Sequence, residues 1–308
     1  MAQRMSGDMA RATPAPGNAY RRIVEPQESK NAMKIDSHQH FWNYSAAEYP
    51  WIGPGMERLA RDYLPADLTA VAAPQGISGS VAVQARQSLA ESRWLLQLAE
   101  EIPFIRGVVG WVDLRSDRVA DQLGQFVGRE KLVGVRHVVQ DETDPRFLLG
   151  DAFVRGVRQL HQFGLAYDLL LYPQQLPAAA ELAALLPEQP FVVDHLAKPR
   201  IKTGEIGSWR QDIESLADNQ NVCCKVSGMV TEAAWRQWQQ ADFVPYLDVV
   251  LASFGPGRLM FGSDWPVCLL AGDYAEVVGI AHDFFSRLSA AEQALIWGGT
   301  ATRFYNLQ

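Results

Sequence analysis

The 308-residue chain has little cysteine: Cys223, Cys224 and Cys268 only. The count is odd and no C-x-x-C pair occurs, which argues against a disulfide framework or a thiolate zinc cluster and fits a reducing, cytoplasmic setting. Apolar runs of about 18 residues are missing, so no membrane span is expected. Basic residues are in the minority, 28 Lys and Arg against 35 Asp and Glu, for a formal charge of -7. A nucleic-acid partner would usually demand a basic face and is not expected. No G-x-G-x-x-G follows an early strand-like run, so a dinucleotide-binding sheet lacks its signature.

What is present is a large apolar complement. Hydrophobic residues make up 48% and charged residues 20%, with a mean hydropathy of -0.11 at 34.2 kDa. That composition suits a globular protein with a sizeable core, and the length leaves oligomeric state open, a homo-oligomer included. Residues 1–32 are polar and aperiodic and lack the apolar stretch of a secretory signal. We read 1–32 as a disordered N-terminal extension and 33–308 as a single catalytic domain starting at Met33.

From Lys34 onward, short apolar runs alternate with amphipathic segments. The strand candidates are Lys34–Ser37, Gly79–Gln84, Ile105–Val112, Leu132–Val138, Ala166–Leu171, Phe191–Asp194, Val222–Val226 and Leu259–Gly262. Helical patterns lie between them, including Leu89–Glu101, Asp151–Phe163, Ala178–Leu186, Gly207–Ala217, Tyr246–Phe254 and Ala275–Leu288. Eight strands with intervening helices predict an α/β fold of the (β/α)8 TIM-barrel type, and the near-continuous hydrophobicity of the runs suits strands covered on both faces. An open doubly wound sheet is the competing arrangement.

Polar residues cluster where the strands end: Asp36-Ser37-His38-Gln39-His40-Phe41-Trp42, Gly134-Val135-Arg136-His137, Asp194-His195-Leu196-Ala197-Lys198-Pro199, Lys225-Val226-Ser227-Gly228 and Gly262-Ser263-Asp264-Trp265-Pro266. In a barrel, catalytic groups come from the C-terminal ends of several strands, so these histidines and Asp264 would share one mouth. His38 and His40, two apart on an extended segment, point to one side and can bind a divalent metal or hold a carbonyl oxygen. Alone they read more readily as a hydrogen-bonded pair at a strand end, since a lone H-x-H is a common accident. His195 reads as a ligand or catalytic group, with a core histidine as the plainer account. Asp264 reads as general base or metal ligand, with a helix N-cap as the alternative. Arg136 and His137 are candidates for substrate binding, but adjacent strand residues face opposite ways, which leaves one of them structural. Asp194 could orient His195 or buttress the barrel. Lys198 is read as a solvated rim residue, and Lys225 as an inward side chain in an ion pair. Trp42 and Trp265 flank the clusters as sugar-stacking faces, lids or core plugs.

These motifs, D-x-H-x-H-F-W, G-V-R-H, D-H-L-A-K-P, K-V-S-G and F-G-S-D-W-P, together resemble amidohydrolase-superfamily proteins of the amidohydrolase-2 type, and among them the sugar-lactone hydrolases acting on L-fucono- and L-rhamnono-lactones. The likeness runs from about Lys34 to Tyr305. It implies a (β/α)8 barrel in which His38, His40, His195 and Asp264 are the site residues of strands 1, 6 and 8. Binuclear members carry a lysine or glutamate after strand 4 and a histidine after strand 5. Here those places offer Arg136-His137, and Asp168 with Tyr172, so the expectation is one divalent ion, zinc first, or none.

On that resemblance the chain is a lactonase, a hydrolase of a carboxylic ester bond. Its partner is a small sugar lactone, opened by water attack on the ring carbonyl. Asp264 and His195 are the catalytic pair, and His38, His40, His195 and Asp264 the metal set. His137, Arg136, Trp42, Gln84, Arg86, Tyr172 and Trp265 are the candidates for substrate binding. The rival readings are a metal-dependent non-oxidative decarboxylase of an aromatic or unsaturated carboxylate, and a non-catalytic carbohydrate-binding barrel.

Overall fold

The computed structural model describes residues 33–308, which lie in one compact unit; the expected extension 1–32 lies outside the described residues. Eight parallel strands pair in sequence order: β1 (Ile35–Gln39), β2 (Gly79–Val83), β3 (Ile105–Gly110), β4 (Leu132–Val138), β5 (Ala166–Leu170), β6 (Phe191–Val193), β7 (Val222–Val226) and β8 (Leu259–Phe261). Helices cover the outside, so both faces of each strand are buried and the strand sequences read as near-continuous apolar runs. This is the (β/α)8 barrel, and the open-sheet alternative falls.

The ring closes through the segment after β8. The amide of Asp264 donates to the carbonyl of His38 at 2.8 Å, the amide of His40 donates to the carbonyl of Trp265 at 2.7 Å, and Ser37 Oγ donates to the Phe261 carbonyl at 2.6 Å. Closure therefore seats Asp264 beside β1. One extra residue in β1 between Asp36 and Gln39 shifts its register against β2. Such bulges re-aim side chains beside active sites.

The barrel interior is layered. Ile35, Val81, Val83, Val109, Ala166, Val192, Cys223 and Met260 form an apolar floor, stoppered by Ala301 and Tyr305 from the C-terminal end of the chain. Alternation along β5 and β7 carries Asp168 and Lys225 onto that floor, one step above Ala166 and Cys223. A separate, larger apolar cluster packs the helices against the outer strand faces.

Helix Leu89–Glu101 coincides with its sequence pattern, and Ser88 caps it by accepting from the amides of Ala90 and Glu91. The expected Tyr246–Phe254 instead begins at Gln240, with Pro245 inside it. Proline reads as a stop, but this one sits inside the second turn, where the helix forgoes a single backbone hydrogen bond and runs on.

Candidate active site

Three imidazoles and one carboxylate meet at the C-terminal mouth. His40 Nε2 lies 3.3 Å from Asp264 Oδ1, while His38 Nε2 and His195 Nε2 each lie 3.9 Å from the same oxygen. All four side chains are nearly or wholly buried. His40 Nδ1 is 2.8 Å from the Val83 carbonyl and donates to it, leaving Nε2 as a lone pair facing the centre. His195 Nδ1 is held at 2.8 Å by Ser227 Oγ, again turning Nε2 inward.

Unusual backbone makes this possible. His195, Leu196, Ala197 and Lys198 all have positive φ, 56, 54, 57 and 51°. Such a left-handed turn in non-glycine residues costs about 1–2 kcal/mol per residue and marks a site held by its surroundings. Gly228, at φ 61°, backs it: a Cβ there would stand 2.5 Å from His195 Nδ1. Gly262 does the same for His38, whose Cβ would be 2.7 Å from a Cβ at 262. Asp264 is itself left-handed at φ 56°. Its loop is tied down by Asp36, which accepts from Ser263 N at 2.9 Å, Ser263 Oγ at 2.6 Å and Tyr274 OH at 3.0 Å.

Beneath the imidazoles lies a layer of buried, oppositely charged side chains. Lys225 Nζ contacts Asp168 Oδ2 at 2.5 Å, Asp194 Oδ1 at 3.0 Å and His38 Nδ1 at 3.2 Å. Arg136 Nη1 donates to Asp194 Oδ2 at 3.0 Å and stands 3.3 Å from His38 Nε2, and Tyr305 OH donates to Asp168 at 2.8 Å. Two cations offset two anions. Burial alone would raise Asp194, but Lys225, His38 and Arg136 outweigh it and hold the carboxyl well below its usual range. Asp194 thus buttresses the barrel and His38.

Burial keeps His38 and His195 neutral. It pushes His38 well below its ordinary value, against the pull of Asp194, and pushes His195 down to about 4, against the pull of Asp264 and Asp194. Asp264 is raised by burial but held well below the usual carboxylate range by His195, His40 and His38. One uncompensated negative charge therefore faces inward-turned imidazole nitrogens. His38 Nε2 and His40 Nε2 are only 3.3 Å apart, a separation that calls for a shared proton or a cation. Zinc bonds to imidazole nitrogen of about 2.0–2.1 Å put tetrahedral ligand atoms roughly 3.3 Å from one another. His38, His40 and Asp264 thus fit a divalent ion, with His195 next to them. A second grouping, His38 with Asp194 and His195, is weaker because Asp194 already serves Lys225 and Arg136.

The remaining sequence candidates divide. Gln84 lines the wall, its amide donating to the Arg136 carbonyl and its own carbonyl accepting from Arg136. Arg86 lies at the rim on Glu48, over the Tyr49 ring. Tyr172 is at the rim, 36% exposed. His137 is not brought to the cluster: alternation turns it out of β4 onto Glu142 at 2.8 Å, stacked on Phe147. Trp42 is wholly buried in the loop after β1, donating to the Arg61 carbonyl and packed on Tyr49 and Tyr63. Trp265 packs on Phe41 and Tyr63. Both indoles are core plugs, not sugar platforms. Sequence reasoning missed Glu91, a buried carboxylate accepting from the amides of Ala85 and Arg86 and so fixing the loop after β2.

The amidohydrolase family model matches residues 35–307, the whole barrel. The chain belongs to the amidohydrolase family. This amidohydrolase is 46% identical over 287 residues to a Burkholderia multivorans protein named L-fucono-1,5-lactonase, covering 90% of this chain and 97% of that one. A crystal structure of a B. multivorans amidohydrolase with bound zinc superposes with a TM-score of 0.86 at 45% identity, covering 90% of this chain and all of the other. A 2,6-dihydroxybenzoate decarboxylase from Rhizobium shares the fold alone, at 13% identity and a TM-score of 0.61, with 89% of this chain and 98% of that one covered. Among the described residues no helix is long and apolar enough to cross a membrane.

Proposed function

We propose that the protein is a lactonase that opens a sugar lactone, L-fucono-1,5-lactone or a near relative such as an L-rhamnono-lactone, to the free sugar acid. The observation that carries this reading is the meeting of Asp264 with three inward-facing imidazoles within 3.9 Å, in a chain 46% identical to a named L-fucono-1,5-lactonase. The decarboxylase reading has only a shared fold behind it, and the non-catalytic reading leaves the strained turn at His195 without a purpose. Three buried, unpaired thiols fit a cytoplasmic location.

A lactone is an ester held cis in a ring, so its carbonyl needs modest activation. Asp264 takes a proton from water as the oxygen attacks, then returns it to the departing ring oxygen. His195, His40 and His38 outweigh burial and keep Asp264 ionised, the form that can accept the water proton. His195, fixed at Nδ1 by Ser227, turns Nε2 to the same space, where its lone pair can ligate the ion or accept from the attacking water. His38, His40, His195 and Asp264 would hold a divalent ion, zinc by donor type, which when bound supplies Lewis-acid polarisation of the carbonyl. Lys225 and Asp194 keep His38 oriented from its Nδ1 side.

The test is a pH-indicator screen of aldonolactones on metal-analysed protein, with and without chelator. Acid release from L-fucono-1,5-lactone is expected, and the chelator should remove about one equivalent of bound metal. Release of carbon dioxide from a dihydroxybenzoate, with no acidification on any lactone, overturns the reading. The His195 cradle gives a second expected outcome. Gly228→Ala places a Cβ against the ring and should lower kcat/KM on the lactone about 10²-fold, as ångström-scale misplacement does. Wild-type kinetics in that variant would mean that the position of His195 is immaterial.

A further inference from the structure

Above the imidazoles the mouth holds polar side chains that the hydrolytic steps do not use. Lys198 ends the left-handed turn after β6, Glu232 ends the short helix Met229–Glu232 after β7, and Tyr172 follows β5. Lys198 Nζ stands 3.9 Å from Glu232 Oε1 and 5.4 Å from the centre of the Tyr172 ring. The Lys198 and Glu232 side chains are only 17% and 22% exposed, yet neither charged group donates or accepts a hydrogen bond among the described residues. All three lie just past the C-terminal ends of β5, β6 and β7, the end of the barrel that carries His195, and Lys198 closes the same turn as His195.

An ammonium with three donors and a carboxylate with about four acceptor positions, half-withdrawn from water and not bonded to each other, are unspent binding capacity. The pair is neutral as a whole, and Glu232 adds negative charge near Asp264, so an anionic ligand is disfavoured. Hydroxyl groups both donate and accept, and a ring bearing several of them satisfies both partners at once. The Tyr172 face beside them suits the C–H side of such a ring.

We propose that Lys198, Glu232 and Tyr172 form the subsite that reads the hydroxyls of a neutral polyhydroxylated lactone ring, Glu232 accepting from adjacent hydroxyls and Lys198 donating to one of their oxygens. This rests on the lactonase reading and names the specificity residues of that same site. They do not touch the scissile ester, so they act on substrate choice.

The experiment compares L-fucono-1,5-lactone with δ-valerolactone, the same ring size without hydroxyls, in the wild type, Glu232→Gln and Lys198→Met, with melting curves as a check on folding. Each variant should lower the ratio of kcat/KM values, hydroxylated over bare lactone, about tenfold to a hundredfold, the scale of hydrogen bonds to charged groups. The loss should fall mainly on KM. Two variants on separate loops keep the test intact if one fails to fold. An unchanged ratio in both, or an equal loss on both lactones, overturns the subsite while leaving the lactonase reading standing. A wild type inactive on every aldonolactone removes that reading and the subsite with it.

Discussion

Asp264→Asn should lower kcat on L-fucono-1,5-lactone by about 10²- to 10⁴-fold, the usual contribution of a positioned general acid–base. An amide has the shape of the carboxylate but cannot take the water proton or return it to the ring oxygen. The fold should survive for a specific reason. Asp264 is left-handed at φ 56°, a conformation that Asn tolerates better than most residues, and its amide bond to the His38 carbonyl does not involve the side chain. A pH-stat assay gives the rate and a melting curve gives the fold. Activity within threefold of wild type would remove Asp264 as the base. The acid limb of the wild type offers a companion measurement. His195 gains its proton only near pH 4, so kcat/KM should hold down to about pH 5 and fall below that, as the imidazole loses its lone pair.

Much of this was legible in the sequence, for identifiable reasons. Strands buried on both faces write themselves as apolar runs, and β4 and β7 coincide with their expected bounds. His38 and His40 share a side as their spacing requires, although β1 runs on through Gln39. The inward ion pair of Lys225 is also as expected. Composition could not show that Asp168 and Asp194 share that lysine. They come from different strands, and only closure of the barrel brings them together. Arg136 and His137 were undecided because the strand bounds fix only that the two face opposite ways, not which of them faces inward. In the structure Arg136 points inward onto Asp194 and His137 outward onto Glu142. The left-handed turn at 195–198 contains no glycine to announce it. Trp42 misled because an indole beside H-x-H suits a sugar face, whereas the loop after β1 folds back over it.

The buried charge layer carries the largest expected effect on stability. Lys225→Met removes a fully buried ammonium that contacts Asp168, Asp194 and His38, leaving Arg136 to offset two carboxylates. Breaking a buried pair from one side costs about 3–5 kcal/mol, which for a domain of this size lowers Tm by roughly 5–10 °C. Burial already pushes Asp168 up to about 6 even with Lys225 opposing it; without the lysine it rises further. A carboxyl whose folded value is raised stabilises the fold only while protonated. The deficit of the variant should therefore be greatest near neutral pH and shrink as pH falls toward 5. Lys225→Met combined with Asp168→Asn restores the balance of one cation against one anion, and should melt above the single variant despite carrying two substitutions. Calorimetry of wild type, single and double variants at pH 5 and 7.5 reads both signs. A single variant that loses less than about 1 kcal/mol, with no dependence on pH, would mean that the interior is not ionised as its geometry implies. Recovery of stability without recovery of lactone hydrolysis in the double variant would assign Lys225 a second task, holding His38 from beneath. Stability needs only charge balance, whereas orientation of that imidazole needs the ammonium itself.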